Sequence, residues 1–218
     1  MKITFVPGTK KIEDAVTFPQ PAKNFIPDWY KNIKSGKDFF NVKKCIPFLD
    51  SMSNGYIQTT WCDIIVTEEE DGPKVVFDSE VPIFGRRPTS DMPVDKYFYD
   101  IEFVWQRPWS IILPKGYSAL IVHPLNRIDL PFMTLSGIVD LDKSIHAPIG
   151  NIPFFIKKGF TGTIPAGTPM FQILPIKRED WKSETQEYND FFWEEKIKEK
   201  QNFSGFYKKQ IWQRKSFE

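Results

Sequence analysis

The stretch Tyr56-Ile57-Gln58-Thr59-Thr60-Trp61-Cys62-Asp63-Ile64-Ile65-Val66-Thr67, followed by Asp71-Gly72 and Lys74-Val75-Val76-Phe77, decides the fold class. β-Branched and aromatic side chains dominate it, and these suit a pleated, half-buried surface. Asp-Gly between two such runs is the turn signal of a hairpin. Toward the C-terminus the same chemistry recurs at residues 98–105, 110–113, 118–123, 132–139, 152–157 and 170–175. Turn formers separate the runs: Pro114-Lys115-Gly116, Asn126, His146-Ala147-Pro148 and Pro165-Ala166-Gly167. No helical period intervenes, so the crossover helices of a parallel α/β fold are missing. The pattern predicts a mainly β body over residues 56–177, an antiparallel β-barrel or sandwich.

Toward the N-terminus, residues 2–6 predict a first strand, and Phe18-Pro19-Gln20-Pro21-Ala22-Lys23-Asn24-Phe25-Ile26-Pro27-Asp28-Trp29-Tyr30 follows. Its prolines exclude a central strand. Pro27-Asp28 can open a short helix carrying Trp29 and Tyr30, with Gly36 near its end. Residues 1–55 are expected to form an arm packed on the body and pinned by Phe18, Phe25, Ile26 and Trp29; a binding motif for another protein is the alternative. Past Lys177 the pattern changes again. Residues 178–200 are charged and helix-prone, with Trp181, Tyr188, Phe191, Phe192 and Trp193 among them. Tyr188, Phe191 and Phe192 have the spacing of one helix face. Asn202-Phe203-Ser204-Gly205 is a helix break, and residues 206–217 are aromatic and basic. This makes 178–218 a helical, aromatic-rich tail whose end docks on the body. The same composition suits stacking on single-stranded nucleic acid, but the acids just upstream oppose it.

Composition narrows the function classes. A chain of 218 residues can bury a full core without disulfides or metal. A formal net charge of +1 provides no global field to steer the chain to nucleic acid or an anionic membrane. Twenty Phe and seven Trp point to extensive ring packing in cores or interfaces. Cys45 and Cys62 are too few for a disulfide framework and are not spaced as a zinc site. One bridge between them is open, but a reducing, cytoplasmic compartment is the expectation. No apolar run follows Met1-Lys2, so no signal peptide is expected, and no apolar stretch is long enough to span a bilayer.

Chemistry-bearing motifs are sparse. A non-haem iron site needs two His and a carboxylate. His123 and His146, with Asp129, Asp140 or Asp142, would use every imidazole in the chain. The alternative places His123 at a strand end and His146 in a turn, and the expectation is no metal and no cofactor. There is no Gly-x-Ser-x-Gly elbow, phosphate-cradling loop or dinucleotide fingerprint. Asp140 and Asp142 close the apolar run Gly137-Ile138-Val139. Such a pair can bind metal, activate water or cap a turn. Arg127 and Asp129 can form a surface or subunit-contact ion pair, and Arg86-Arg87 can grip an anion or lie in a solvated loop. The candidate ligand site is Tyr117, Arg127, Asp140 and Asp142, for a small anionic ligand. Tyr117 and Arg127 flank opposite ends of one predicted strand. Their convergence with Asp140 therefore needs a chain bend or a neighbouring subunit, which makes a homo-oligomer part of this expectation. Arg127→Ala is expected to abolish binding at little cost in stability.

Two resemblances add to these readings. Ile26-Pro27-Asp28-Trp29-Tyr30-Lys31, Pro47-Phe48-Leu49-Asp50, Gly55-Tyr56-Ile57, Pro114-Lys115-Gly116-Tyr117-Ser118, Pro124-Leu125-Asn126-Arg127, Leu130-Pro131-Phe132, Ser136-Gly137-Ile138-Val139-Asp140 and Pro175-Ile176-Lys177-Arg178 with Trp181 resemble an uncharacterised family of tailed phages, notably marine ones, and some bacteria. The match runs nearly end to end. It implies expression in the cytoplasm of a bacterial host, and it carries no catalytic residue over. Locally, Thr134-Leu135-Ser136-Gly137-Ile138-Val139-Asp140 and Gly167-Thr168-Pro169-Met170-Phe171-Gln172-Ile173-Leu174 are similar to the end of the dUTPase and dCTP deaminase β-barrel. That similarity implies a trimeric barrel with sites between subunits. Lys143-Ser144 stands where a Tyr is expected, the phosphate-binding Ser motif is not evident, and a helical tail replaces the Gly-rich closing arm. Shared fold alone does not carry function. Two functions follow as expectations: a non-catalytic domain binding a ligand or protein partner, or an enzyme acting on a nucleotide with Asp140 or Asp142 central.

Overall fold

The computed structural model describes residues 1–34, 41–87, 93–142, 151–201 and 207–218. Gly36, His146 with its turn, Lys143-Ser144 and the break at Asn202-Phe203-Ser204-Gly205 lie outside the described residues. The chain opens with β1 (Thr4–Pro7), α1 (Lys10–Ala15), β2 (Gln20–Pro21), α2 (Asp28–Lys31) and α3 (Ile46–Ser53). The body follows as β3 (Tyr56–Thr59), β4 (Ile64–Glu69), β5 (Gly72–Phe77), β6 (Phe84–Arg86), β7 (Phe103–Trp105) and β8 (Trp109–Ile112). It continues with β9 (Tyr117–Val122), β10 (Phe132–Thr134), β11 (Gly137–Val139), β12 (Ile152–Ile156), β13 (Gly162–Ile164) and β14 (Pro169–Lys177). A longer helix, α4 (Asp190–Gln201), lies in the tail, with a π-helical turn at Tyr207–Ile211.

The fold is mainly β and its strand pairs are antiparallel. The described residues form four sheets, in the orders β1-β8, β10-β12-β7-β6, β11-β9-β14-β3-β2 and β13-β4-β5. Each is open-ended, so none of them closes into a barrel among the described residues. The predicted hairpin is β4–β5, with Glu69 opposite Gly72 and a two-residue loop between them. Gly72 takes φ +112°, which only glycine adopts without strain.

Two predicted strands are each two strands in different sheets. The run 56–67 divides into β3 and β4, because the chain leaves the five-stranded sheet at Thr60, whose hydroxyl bonds the Pro165 carbonyl at 2.8 Å. The run 132–139 divides into β10, paired with β12, and β11, paired with β9. Alternation cannot reveal such corners, since both halves bury side chains in the same core. Residues 98–105 also contribute less strand than predicted: β7 holds only the last three, and Phe98 makes an isolated bridge to Lys157.

One core joins all the sheets. At its centre Trp105 stacks on Phe154, with centroids 3.6 Å apart and planes 5° apart, and Phe132 meets both rings edge-on. The indole N–H of Trp105 donates to the Thr134 hydroxyl at 3.0 Å, and that hydroxyl donates to the Met170 carbonyl at 2.7 Å. Such a relay satisfies polar groups that would otherwise be costly to bury.

The N-terminal arm and α3 cover β3 and β14. Val16, Ala22 and Tyr30 are the buried pins, whereas Phe18 and Trp29 stay partly exposed. Gly55 passes so close to β14 that a Cβ there would meet the Ile173 carbonyl oxygen at 2.2 Å, and its φ is +73°. The tail also differs from expectation. Residues 178–189 are not helical, because Asn189 caps α4: its side chain accepts from the Phe191 N–H at 2.9 Å. Tyr188 therefore precedes the helix and does not share its face with Phe191 and Phe192.

Candidate functional site

Two polar clusters form at opposite ends of β9. The register of β14 on β9 sets Lys177 against Tyr117, and the Arg178 N–H extends the ladder to the Gly116 carbonyl at 2.8 Å. Arg178 thereby reaches the residues that follow β11. Its guanidinium pairs with Asp140 at 3.1 Å and with Asp142, and also donates to the Ser118 hydroxyl and the Tyr117 carbonyl, both at 3.1 Å. Ser118 donates to Asp140 at 2.5 Å, and the Gly116 N–H donates to Asp142 at 2.8 Å. The Asp142 side chain is 1% exposed. The Arg178 guanidinium and the Gly116 N–H hold its carboxyl at about 2. The Ser118 hydroxyl, and then Arg178, hold the Asp140 carboxyl below its ordinary value. Asp142 Oδ1 is buried without a partner among the described residues.

The second cluster follows the far end of β9. The Arg127 guanidinium grips Asp129 in a fork, with bonds of 2.9 Å from Nε and 2.9 Å from Nη2, and reaches the Phe25 carbonyl at 3.4 Å. The Trp29 indole N–H also donates to Asp129, at 3.2 Å. Burial pulls the Asp129 carboxyl upward, but the Arg127 pair outweighs it and leaves the group below its ordinary value. His123 holds this loop in place. Its Nδ1 accepts from the Thr134 N–H at 3.2 Å, so Nε2 carries the proton and donates to the Arg127 carbonyl at 3.0 Å. Burial lowers the His123 pKa below 6.5. Two clefts of about 390 and 350 Å³ lie on either side of Arg127 and share Arg127 and Pro169 in their walls.

Within one chain the four predicted ligand residues therefore do not converge. Tyr117, Asp140 and Asp142 lie at one end of β9 and Arg127 at the other, roughly 17 Å away at the rise of an extended strand. The chain does not bend back, because Asn126 turns it at φ 62° and ties it to α3 through the Ser51 hydroxyl at 2.7 Å. Arg127 is also not the exposed residue expected: its side chain is 14% exposed.

Sequence reading missed Arg178, Ser118 and Gln172 as site residues. Gln172, 1% exposed, accepts from the Leu125 N–H at 2.9 Å and donates to the Ser51 and Asn54 carbonyls at 2.9 and 2.6 Å. Only the strand register reveals Arg178, whereas a lone Gln amid the apolar run of β14 was a usable signal.

Chemically, both clusters are self-consumed. Each cation faces its own carboxylates, and Ser118 is 1% exposed, so its hydroxyl lies out of a substrate's reach. Among the described residues no three of His, Cys, Asp and Glu gather as a metal site. Arg86 and Arg87 do not form one anion grip: Arg87 pairs with the buried Glu102 at 2.9 Å. Both cysteines are free thiols. No helix among the described residues is long and apolar enough to cross a membrane.

Exposed apolar side chains occur at the clusters themselves, Ile128 at 79% and Ile138 at 67%, but the exposed rings gather in the tail. Trp181 is 86% exposed, Tyr188 77%, Phe191 61% and Phe192 58%. The chain carrying them is anchored at both ends, by the Arg178 cluster and by the terminal residues. Trp212 and Lys215 both donate to Asp50 at 2.8 Å, and Phe217 packs edge-on against Tyr56 at 5.9 Å. Neither a family model nor a curated protein matches the chain.

Proposed function

We propose that the chain is a non-catalytic, partner-binding β domain of phage type, acting in host takeover or virion assembly in the bacterial cytoplasm. The observation that carries the binding reading is the group of exposed rings Tyr188, Phe191, Phe192 and Trp193 on a segment fastened at both ends. Contiguous exposed apolar surface on a folded chain marks an interaction site. The two polar clusters support a non-catalytic reading, since their side chains bond one another. The phage assignment rests on the sequence resemblance alone. In this proposal the sheets around the Trp105–Phe154 stack form a sandwich.

A nucleotide-acting enzyme on a dUTPase-like framework is the second reading, favoured by the cleft of about 390 Å³ beside Arg127. Site-specific photocrosslinking distinguishes the two. A photoreactive residue replacing Phe192 is expected to give one discrete protein adduct in the expressing cell, and the same residue at the exposed body position Ile65 none. A thermal-shift screen with nucleotides, with and without divalent metal, is expected to show no shift. A ligand at a hundredfold its Kd would add about 2.7 kcal/mol and be readily visible. A nucleotide shift with no adduct from position 192 would transfer the assignment to the second reading.

A further inference from the structure

We propose that the cleft where the extended chain of the tail meets α4 takes an arginine or lysine side chain of a basic, apolar protein segment, held by the Tyr188 and Phe192 rings and the Glu187 carboxylate. This rests on the reading of the tail as a partner-binding surface and names the chemistry of the partner.

The cleft is shaped by the Asn189 cap. Residues 178–189 carry no regular structure, and Asn189 turns them into α4: its carbonyl accepts from the Phe192 N–H at 3.1 Å and its side chain from the Phe191 N–H. The turn sets Gln186, Glu187 and Tyr188 against Phe192, Trp193 and Lys196, around a cleft of about 230 Å³. Sites for drug-sized ligands run to roughly 300–1,000 Å³. This smaller cleft suits one side chain, with the body of its owner lying outside. Phe191, 61% exposed and with its ring 6.1 Å from that of Phe192, adds apolar surface beside the cleft for that body to cover.

Charge around the cleft selects a cation. From Asp180 to Glu195 the sequence carries six carboxylates and one lysine. Three of the six have work within the chain. Glu195 pairs with Lys198 at 2.9 Å, Glu194 acts on the same lysine, and Asp190 lies in the first turn of α4, at the positive end of its dipole. Asp180, Glu184 and Glu187 precede the helix and have no ion pair or hydrogen bond among the described residues. Elsewhere on the surface Glu13, Asp28, Glu69 and Glu80 each hold a lysine. The rings are equally open. Lys96 sits 5.1 Å from the Tyr97 ring and Lys215 5.6 Å from the Trp212 ring, both within cation–π range. No described cation lies over Tyr188, Phe191 or Phe192. Lys196 lines the cleft yet makes no ion pair with Glu187. Ring faces and a carboxylate attract a cation and repel phosphate, which opposes nucleic acid or an anionic membrane as the occupant. Arginine fits best, because its planar, weakly hydrated head stacks on rings while its fork bonds a carboxylate.

The test is fluorescence anisotropy on the full-length chain at low salt. The probes are a short labelled peptide of repeating Arg-Leu-Ser, matched Lys-Leu-Ser and Glu-Leu-Ser peptides, and a single-stranded oligonucleotide. Saturable binding is expected for the Arg peptide, weaker binding for the Lys peptide, and none for the Glu peptide or the oligonucleotide. Glu187→Gln and Phe192→Ser are each expected to weaken the Arg peptide by about tenfold. Their melting temperatures should be unchanged, since both side chains are exposed. Lys196→Gln is expected to tighten binding by removing a like charge from the cleft wall. Glu70→Gln/Asp71→Asn, which neutralises the acidic hairpin turn of the body, is expected to leave the affinity unchanged. An Arg peptide that fails to bind, that binds equally well after Glu187→Gln and Phe192→Ser, or that is weakened as much by the hairpin variant would overturn the proposal. Oligonucleotide binding that is lost with Phe192→Ser would overturn it too, as would a crosslink adduct from position 192 at twice the chain mass. In each of these cases an adduct from position 192 leaves the partner-binding reading standing. Absence of any adduct would remove that reading, and the proposal with it.

Discussion

At the scale of single residues, His123 and Arg127 show how a site suspected from sequence becomes a piece of architecture. His123 is neutral in the folded chain because burial disfavours its charge; the bond to the Arg127 carbonyl and the Asp129 charge oppose this, and the Lys157 and Arg127 charges reinforce it. An unfolded chain takes up this proton near pH 6.5. Below that pH the unfolded state binds more protons than the folded one, so stability falls with pH from about 6.5 and levels off below the folded-state pKa. Urea midpoints measured from pH 5 to 7.5 should show this slope in the wild type. His123→Gln should flatten it, and since His146 is retained in both proteins, their difference isolates His123. A slope equal in the two would show that His123 titrates alike folded and unfolded. Arg127→Ala should destabilise by about 1–3 kcal/mol in the same assay, since its forked bonds to Asp129 are lost and that carboxylate is left half-buried. The contrary expectation from sequence assumed an exposed arginine. No pattern in Asn126-Arg127-Ile128-Asp129 announces that the Trp29 side of the arm folds over it.

At the scale of elements, what the sequence made legible is the local part of the fold. The β4–β5 hairpin follows from Asp71-Gly72, the short α2 from Pro27-Asp28, and the central β9 and β14 from their apolar runs. Two sheet-crossing corners were not legible, nor was the α4 boundary. The corners depend on partners distant in sequence, while the boundary hangs on one cap, Asn189, inside a stretch that is helix-prone throughout. The two ends of β9 were read correctly as ends, and within one chain no bend brings them together. Gln172 illustrates the interlock that composition hides. It sits mid-strand on β14, and its amide binds α3 and the loop after β9 together, meeting Ser51, Asn54 and Leu125. Gln172→Leu keeps the size and removes all three bonds, leaving three backbone groups without partners. At about 1–3 kcal/mol for each such group, the loss should be about 3 kcal/mol or more by urea denaturation. Gln172→Glu should retain the Leu125 bond yet place a carboxylate against two carbonyls, and should be no better. A change under about 1 kcal/mol in Gln172→Leu would mean that water replaces the amide without penalty.

At the scale of the whole molecule, the body and the tail obey different physics. The body is held by a continuous core of buried side chains, drawn from all the sheets around Trp105 and Phe154. The tail buries little between Trp181 and Phe192 and depends on its two anchors. The terminal anchor centres on Asp50 of α3, whose carboxylate takes the Trp212 N–H and the Lys215 ammonium, while the Tyr56 hydroxyl donates to the Glu218 carbonyl at 3.2 Å. Asp50 is 16% exposed, so its bonds are partly shielded from solvent. Asp50→Ala should therefore free residues 207–218 without unsettling the core. The expected result, at high salt and low protein concentration so that chains stay apart, is faster tryptic cleavage at Lys208, Lys209 and Lys215. The melting temperature of the body should move little, because an unanchored tail opens locally rather than globally. Asp50→Asn, which keeps one acceptor for Trp212 but loses the charge that holds Lys215, should fall between the two. If Asp50→Ala were cleaved no faster than the wild type, the terminal residues would be held by Tyr56, through Phe217 and Glu218, without Asp50. If instead the whole body were cleaved with the tail, the terminal residues would be part of the core rather than a clasp on it.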